Sequence, residues 1–285
     1  MLFRSHPVKL AIPDIPNDPG DPLDWLCRAD ELGLLLKPNG ESMAGFQSRI
    51  EKMRQELHFE LSAGESELPP DAAELPPGIR EAAERIVSDL YGIRPSWVPA
   101  YLSTRETGRF SAGVTAICLT DERLCVPVIF LSGAFHSKPR HRGYDAAETL
   151  AHEMVHAVRA TFPADLAYDE FFPCQVHKSG FRRLAGNFFR KWYIPVLFFC
   201  GLTFAALHPA FLLFPLLVLL RELQLSARIR SAAAKLHELG LRPMPVLLRL
   251  SDAEIKTLAR GKLPACLSDP GSLRRNLLFR RFWRQ

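Results

Sequence analysis

The chain has 285 residues, enough for one substantial core with smaller appendages. Its 47% hydrophobic content is ordinary for a globular protein and its net charge is +5, but both are unevenly spread: Trp192 to Leu220 holds no Asp, Glu, Lys or Arg, residues 221–285 carry 14 Lys and Arg against 5 acids, and residues 1–191 carry 22 against 26. A basic surplus that follows an apolar segment suits anionic lipid, and with no RNA- or DNA-binding signature in view it argues against a nucleic-acid partner.

The six cysteines (Cys27, Cys118, Cys125, Cys174, Cys200 and Cys266) form no C-x-x-C. Their spacing suggests neither a structural zinc site nor a disulfide framework. The first ten residues lack an apolar stretch of useful length, so no cleavable signal peptide is expected. Both observations fit a reducing, cytoplasm-facing location.

In chain order, residues 1–21 are rich in Pro and Asp and read as extended. Pro22 to Leu36 reads as a helix with Leu23, Leu26 and Leu34 on one face and Gly33 near its end. Glu41 to Leu61 reads as a second helix, with Phe46, Ile50, Met53, Leu57 and Leu61 at three- and four-residue spacing. Ser66 to Gly78 carries four prolines and reads as a linker. Ile79 to Tyr91 is a third helix, with Ile79, Ala83, Ile86, Val87 and Leu90 inward. The period then changes to that of strands at Trp97–Ser103, Ala112–Leu119 and Leu124–Ser132, with a hairpin turn at Thr120–Arg123. Pro127 argues that Cys125–Leu131 lies at a sheet edge, because proline cannot donate to a ladder. His136 to Arg142 reads as a basic loop.

Tyr144 or Asp145 then opens a helix reaching about Phe162. This helix contains one HExxH, His152-Glu153-Met154-Val155-His156. Positions i and i+4 share a helix face, so two imidazoles there can hold one metal ion while the glutamate between them reaches a water on it. Leu150, Met154, Val155 and Val158 make the surroundings apolar, and polar groups in such a setting need partners.

The order of helix, short strands, edge strand and HExxH helix resembles the zincin metallopeptidases over roughly residues 79–180. The resemblance implies a Zn²⁺ cofactor, a peptide or protein substrate lying extended beside the edge strand, and Glu153 as general base on a water activated by zinc. A third protein ligand is expected. The sequence after His156 does not match the metzincin pattern, so the candidates are acidic: Asp165, Asp169 and Glu170. From His156 to Phe162 a helix advances about 9 Å, and a returning helix that starts near Asp165 needs five or six residues to climb back. That lands on Asp169 or Glu170, and the longer side chain selects Glu170, with Asp169 as the alternative. Pro173 limits how far a returning helix can run. Donors able to steady an oxyanion are His177 and Tyr168, with Tyr144 and His136 further candidates.

The uncharged run Trp192–Leu220 is about 43 Å long as one helix, more than the roughly 30 Å hydrocarbon core. His208-Pro209 falls near its middle. Two arrangements compete, a single kinked span and a hairpin entering one leaflet. Basic flanks on both sides favour the hairpin, with both ends cytoplasmic, and length favours the span. Ser251-Asp-Ala-Glu254 reads as a capping box, and the tail Arg274–Gln285 mixes Arg with Leu, Phe and Trp, which suits a membrane surface or, alternatively, a partner-binding helix.

The sequence therefore predicts an α+β protein in five parts. These are an N-terminal helical module (1–65), a Pro-rich linker (66–78), a zincin-like domain (79–191) with a mostly antiparallel sheet, a membrane-inserted segment (192–220) and a basic helical region (221–285). The expected function is that of a membrane-associated zinc metallopeptidase of the gluzincin type, facing the cytoplasm. The alternative is an inactive zincin-like scaffold binding protein partners at a membrane surface.

Overall fold

The computed structural model describes residues 12, 21–38, 40–62, 69–108, 111–119, 125–160, 162, 167–185, 188 and 193–283. The fold is mixed α+β, with most described residues helical. The chain forms two compact units, residues 1–162 and residues 163–285.

The first unit opens with α1 (Pro22–Glu31), capped by the Asp21 side chain, and α2 (Met43–Ser62). The predicted stripe on α2 is buried at Phe46, Ile50 and Met53. Beyond α1, Gly33 adopts φ +76°, and a Cβ there would stand 2.7 Å from Val158 Cγ2. Glycine is thus required twice, by backbone conformation and by the closeness of the HExxH helix. The Trp97 indole donates to Leu32 O at 2.8 Å, and the Arg94 amide donates to Glu31 O at 2.6 Å. The N-terminal helices are therefore fastened to the segment that feeds the sheet.

The sheet holds β1 (Ala73–Glu74), β2 (Ala100–Leu102), β3 (Gly113–Leu119) and β4 (Cys125–Leu131), in the order β1-β2-β4-β3. Helix α3 (Ile79–Tyr91) and the one-turn α4 (Thr104–Thr107) flank β2 in the chain. Two of the three pairings are antiparallel, and β2 with β4 is parallel. The predicted linker contributes β1. The predicted turn Thr120–Arg123 lies outside the described residues, although the two strands it joins pair antiparallel over their whole length.

Cys125–Leu131 is not the edge strand. It is interior, and the edge beside it is β3. The reason is geometric. The Ile129 amide donates toward β2, to Pro99 O at 2.9 Å, so the nitrogen of Pro127, two residues earlier, faces the same side. Strand β2 pairs only from Ile129 onward, so no acceptor waits opposite Pro127. A proline is tolerated inside a sheet where its neighbour has already ended.

Arg140–His141, at the end of what the sequence reads as a basic loop, pairs with Tyr144–Asp145, where it reads the start of the HExxH helix, as a small hairpin, β5 and β6. Arg142 (φ 49°) and Gly143 (φ 79°) both have positive φ, as a tight two-residue turn demands. The chain then enters α5 (Ala146–Arg159), which packs on α3 and on strands β3 and β4.

The second unit contains α6 (Phe171–Cys174), α7 (Gly180–Ala185), α8 (Tyr193–Phe204), α9 (Leu213–Glu238), α10 (Pro243–Leu248), α11 (Asp252–Ala259), α12 (Ala265–Ser268) and α13 (Leu273–Phe282). Among the described residues no returning helix follows Asp165. Asp165 itself lies outside the described residues, and the next described element is the single turn α6, with Pro173 within it. Helix α9 buries Leu225, Ile229, Ala232 and Leu236, a three- and four-residue stripe, against α10 and α11. Ser251 and Glu254 form the predicted capping box at the start of α11. One helix, Pro209–Glu238, is long and apolar enough to cross a membrane by length and composition.

Candidate metal centre

Asp145 starts α5 by accepting hydrogen bonds from the amides of Ala147 (3.0 Å) and Glu148 (3.2 Å). A carboxylate at this position satisfies otherwise unpaired amides and complements the helix dipole. The helix ends at Arg159, sooner than Phe162, and Arg159 stacks over the Phe162 ring. Leu150, Met154, Val155 and Val158 are buried, as the pattern predicts.

His152 and His156 fall one turn apart, with their Nε2 atoms 3.2 Å from each other. Two nitrogens held about 2.05 Å from a tetrahedral zinc would be about 3.3 Å apart. The pair therefore already has the separation that one shared ion requires.

Glu153 points to the sheet and is buried. Its Oε2 accepts the Thr115 hydroxyl at 2.7 Å. Thr115 and Gly113 share a face of β3. At Gly113 a Cβ would stand 3.0 Å from both Cγ and Oε1 of Glu153 and 2.9 Å from Thr149 Cγ2. The absence of a side chain at Gly113 is what lets the glutamate lie against the strand. Neither residue is recognisable in the sequence, since both depend on the register of β3 against α5.

The acidic candidates belong to the second unit. There the Ala167 amide donates to Asp252 Oδ2 at 2.8 Å, and Tyr168 and Phe172 are buried, which fixes the segment on either side of Asp169 and Glu170. Glu170 O accepts the Cys174 amide and opens the turn α6. Two groupings of described residues have the chemistry to hold a metal ion, His152 with His156 and Glu170, and His152 with Cys174 and His177. Asp169 belongs to neither grouping. Comparison with protein-family models, curated proteins and solved structures found no match.

Of the expected oxyanion donors, His177 is buried and stands in the second grouping. The Tyr168 phenol is pushed up by burial, against the opposing pull of Arg228, with which it also shares a hydrogen bond. Its hydroxyl is thus engaged elsewhere. Tyr144 and His136 are exposed near the helix entrance and belong to neither grouping. Cys174 is the residue the sequence reading passes over. Its spacing to His177, Cys-x-x-His, puts two potential ligands one turn apart and is the signal that could have found it.

Both groupings contain donors suited to zinc, nitrogen with oxygen in one and nitrogen with sulfur in the other. His152 is common to both.

Proposed function

We propose that this protein is a membrane-associated, zinc-dependent metallopeptidase that hydrolyses peptide bonds. The observation that supports it most lies on one helix, where the imidazole nitrogens of His152 and His156 stand 3.2 Å apart and Glu153 is buried; Glu170 is the third ligand of the proposal. Two histidines and a carboxylate would hold the ion and leave one tetrahedral position open. Zinc, when bound, supplies a Lewis acid and draws the pKa of a water toward about 7.

The chain's own residues do the rest. Glu153 is not a ligand. Its carboxylate takes a proton from the attacking water and passes it to the leaving amine nitrogen. Thr115 and Gly113 position that carboxylate, the first by a hydrogen bond and the second by leaving it room. His177 is the donor for the carbonyl oxygen, since the Tyr168 hydroxyl is held by Arg228. The apolar segment and the basic C-terminal region hold the protein at a lipid surface. Basic residues on both sides of the segment support a cytoplasmic position for the metal centre.

The test is cleavage of a broad peptide library by the purified full chain. Cleavage is expected, lost on adding a zinc chelator and restored by zinc. A chain that holds about one zinc and cuts no peptide would instead be a zincin-like scaffold that binds protein partners at a membrane. A chain that takes up no zinc would refute the metallopeptidase.

A further inference from the structure

Helix α9 changes its surroundings along its length. From Leu225 onward it buries one stripe and exposes the rest, as a helix on a protein core does. From Leu213 to Leu220 only Pro215 is buried, and Leu213, Phe214, Leu216, Leu217, Leu219 and Leu220 all stand exposed. These positions surround the helix. A protein partner covers a stripe, whereas apolar side chains on every side call for an apolar solvent. Helix α8 has the same character, and 16 of the 22 exposed large hydrophobic residues among those described fall between Tyr193 and Leu223.

The two helices form a hairpin. Gly201 and Pro215 would be about 21 Å apart on one straight helix. Here a Cβ on Gly201 would meet Pro215 Cδ at 2.7 Å. The chain has folded back, and glycine permits the contact.

The bend is sealed. The amides of Ala205, Ala206, Leu207 and His208 donate to Gly201, Thr203, Phe204 and Phe204 carbonyls. Residue 209 is proline, with no amide to satisfy. The Ala210 amide donates to His208 Nδ1 at 3.2 Å, and the Phe211 amide to His208 O. Thr203 Oγ1 donates to Phe199 O at 2.9 Å. A turn in water can leave its amides to solvent, whereas a turn in hydrocarbon has to pair them within the chain.

We propose that residues 193–220 enter a single leaflet of a lipid bilayer as a re-entrant hairpin, with its tip at Leu207–His208 and both flanking segments on the same face. The depth fits. Helix α8 spans 12 residues, about 18 Å, and Pro209–Leu220 spans about 20 Å, both short of the roughly 30 Å hydrocarbon core. A full span through α9 would have to draw Arg221 and Glu222 into lipid and pull Leu225 and Ile229 out of the core they fill. Tyr193 at the foot of one arm and Arg221 at the foot of the other stand at the level of the headgroups. Arg183, Arg228 and Arg230 lie just outside the uncharged run, exposed and of the sign that anionic headgroups attract.

The inference rests on the membrane half of the function proposed above and is independent of the metal. Its test uses the full chain with Cys27→Ser and Cys200→Ala in sealed vesicles. An added Lys178→Cys or Lys256→Cys, both exposed in the fold, is reacted with a membrane-impermeant maleimide. Both are expected to label from the same face, and the protein is expected to float with vesicles containing anionic lipid. Labelling from opposite faces overturns the one-leaflet placement and leaves membrane association standing. A protein that stays in solution as a dimer, its apolar arms covered by a second copy, overturns both.

Discussion

Glu153→Gln is expected to leave the zinc content of the protein unchanged and to lower kcat for peptide cleavage by roughly 10²- to 10⁴-fold. Glutamine has nearly the same volume, so it keeps its place in the space left by Gly113. Its amide oxygen can still accept the Thr115 hydroxyl that Glu153 accepts at 2.7 Å. Helix α5 therefore keeps its seat on β3, and the histidines keep their separation. What is lost is the one oxygen basic enough to take a proton from water. His152→Ala separates the roles from the other side, because it removes a ligand and the zinc with it while leaving Glu153 in place. Zinc content and kcat measured on both variants distinguish a base from a ligand. Loss of zinc in Glu153→Gln would place that residue in the coordination shell and contradict the assignment.

Arg274→Ala is expected to destabilise the second unit by about 2–3 kcal/mol, because it strips a charged hydrogen-bond partner from a part-buried carboxylate. Arg274 makes a fork with Glu254, Nη1 to Oε1 at 2.6 Å and Nη2 to Oε2 at 3.0 Å, and Nη2 also donates to Arg249 O. Glu254 is also the far half of the capping box that starts α11. Removing one guanidinium thus loosens α11, α13 and the end of α10 together. Burial pushes the Glu254 carboxyl up, but Arg274, with help from Ser251 and Cys266, holds it below 4.5. A carboxyl depressed in the folded state contributes stability above its unfolded pKa and loses it as pH falls through the folded value. The gap in stability between wild type and Arg274→Ala should therefore be full near neutral pH and narrow below about pH 4.5. Denaturant midpoints measured across that range check both the size and the sign. Burial also raises the Cys266 thiol beside this pair, to about 12, so it stays protonated and inert throughout.

How far these features can be read from the sequence depends on whether they are local. The HExxH helix is legible because its period, its Asp145 cap and its apolar neighbours all lie within 16 residues. The stripe on α2 and the glycine after α1 are legible for the same reason. The interior place of β4 is not. The rule against proline in central strands concerns one nitrogen, and whether that nitrogen meets an acceptor depends on where β2 ends. Glu170 comes from counting the rise of a helix out and back, yet among the described residues the element that follows it is the short turn α6. Thr115 and Gly113 are 38 and 40 residues before Glu153, and only strand register brings them to it. Cys174 is readable in principle as Cys-x-x-His.

Whether zinc sits on His152, His156 and Glu170 is best tested by X-ray absorption at the zinc edge on the zinc-loaded full chain. The two groupings that share His152 differ in one atom type, since only the second contains sulfur. The assignment predicts about one zinc per chain, with nitrogen and oxygen neighbours at about 2.0–2.2 Å and none at a longer sulfur distance. A shell at about 2.3 Å would put Cys174 on the metal and contradict it, and so would a chain that binds no zinc at all.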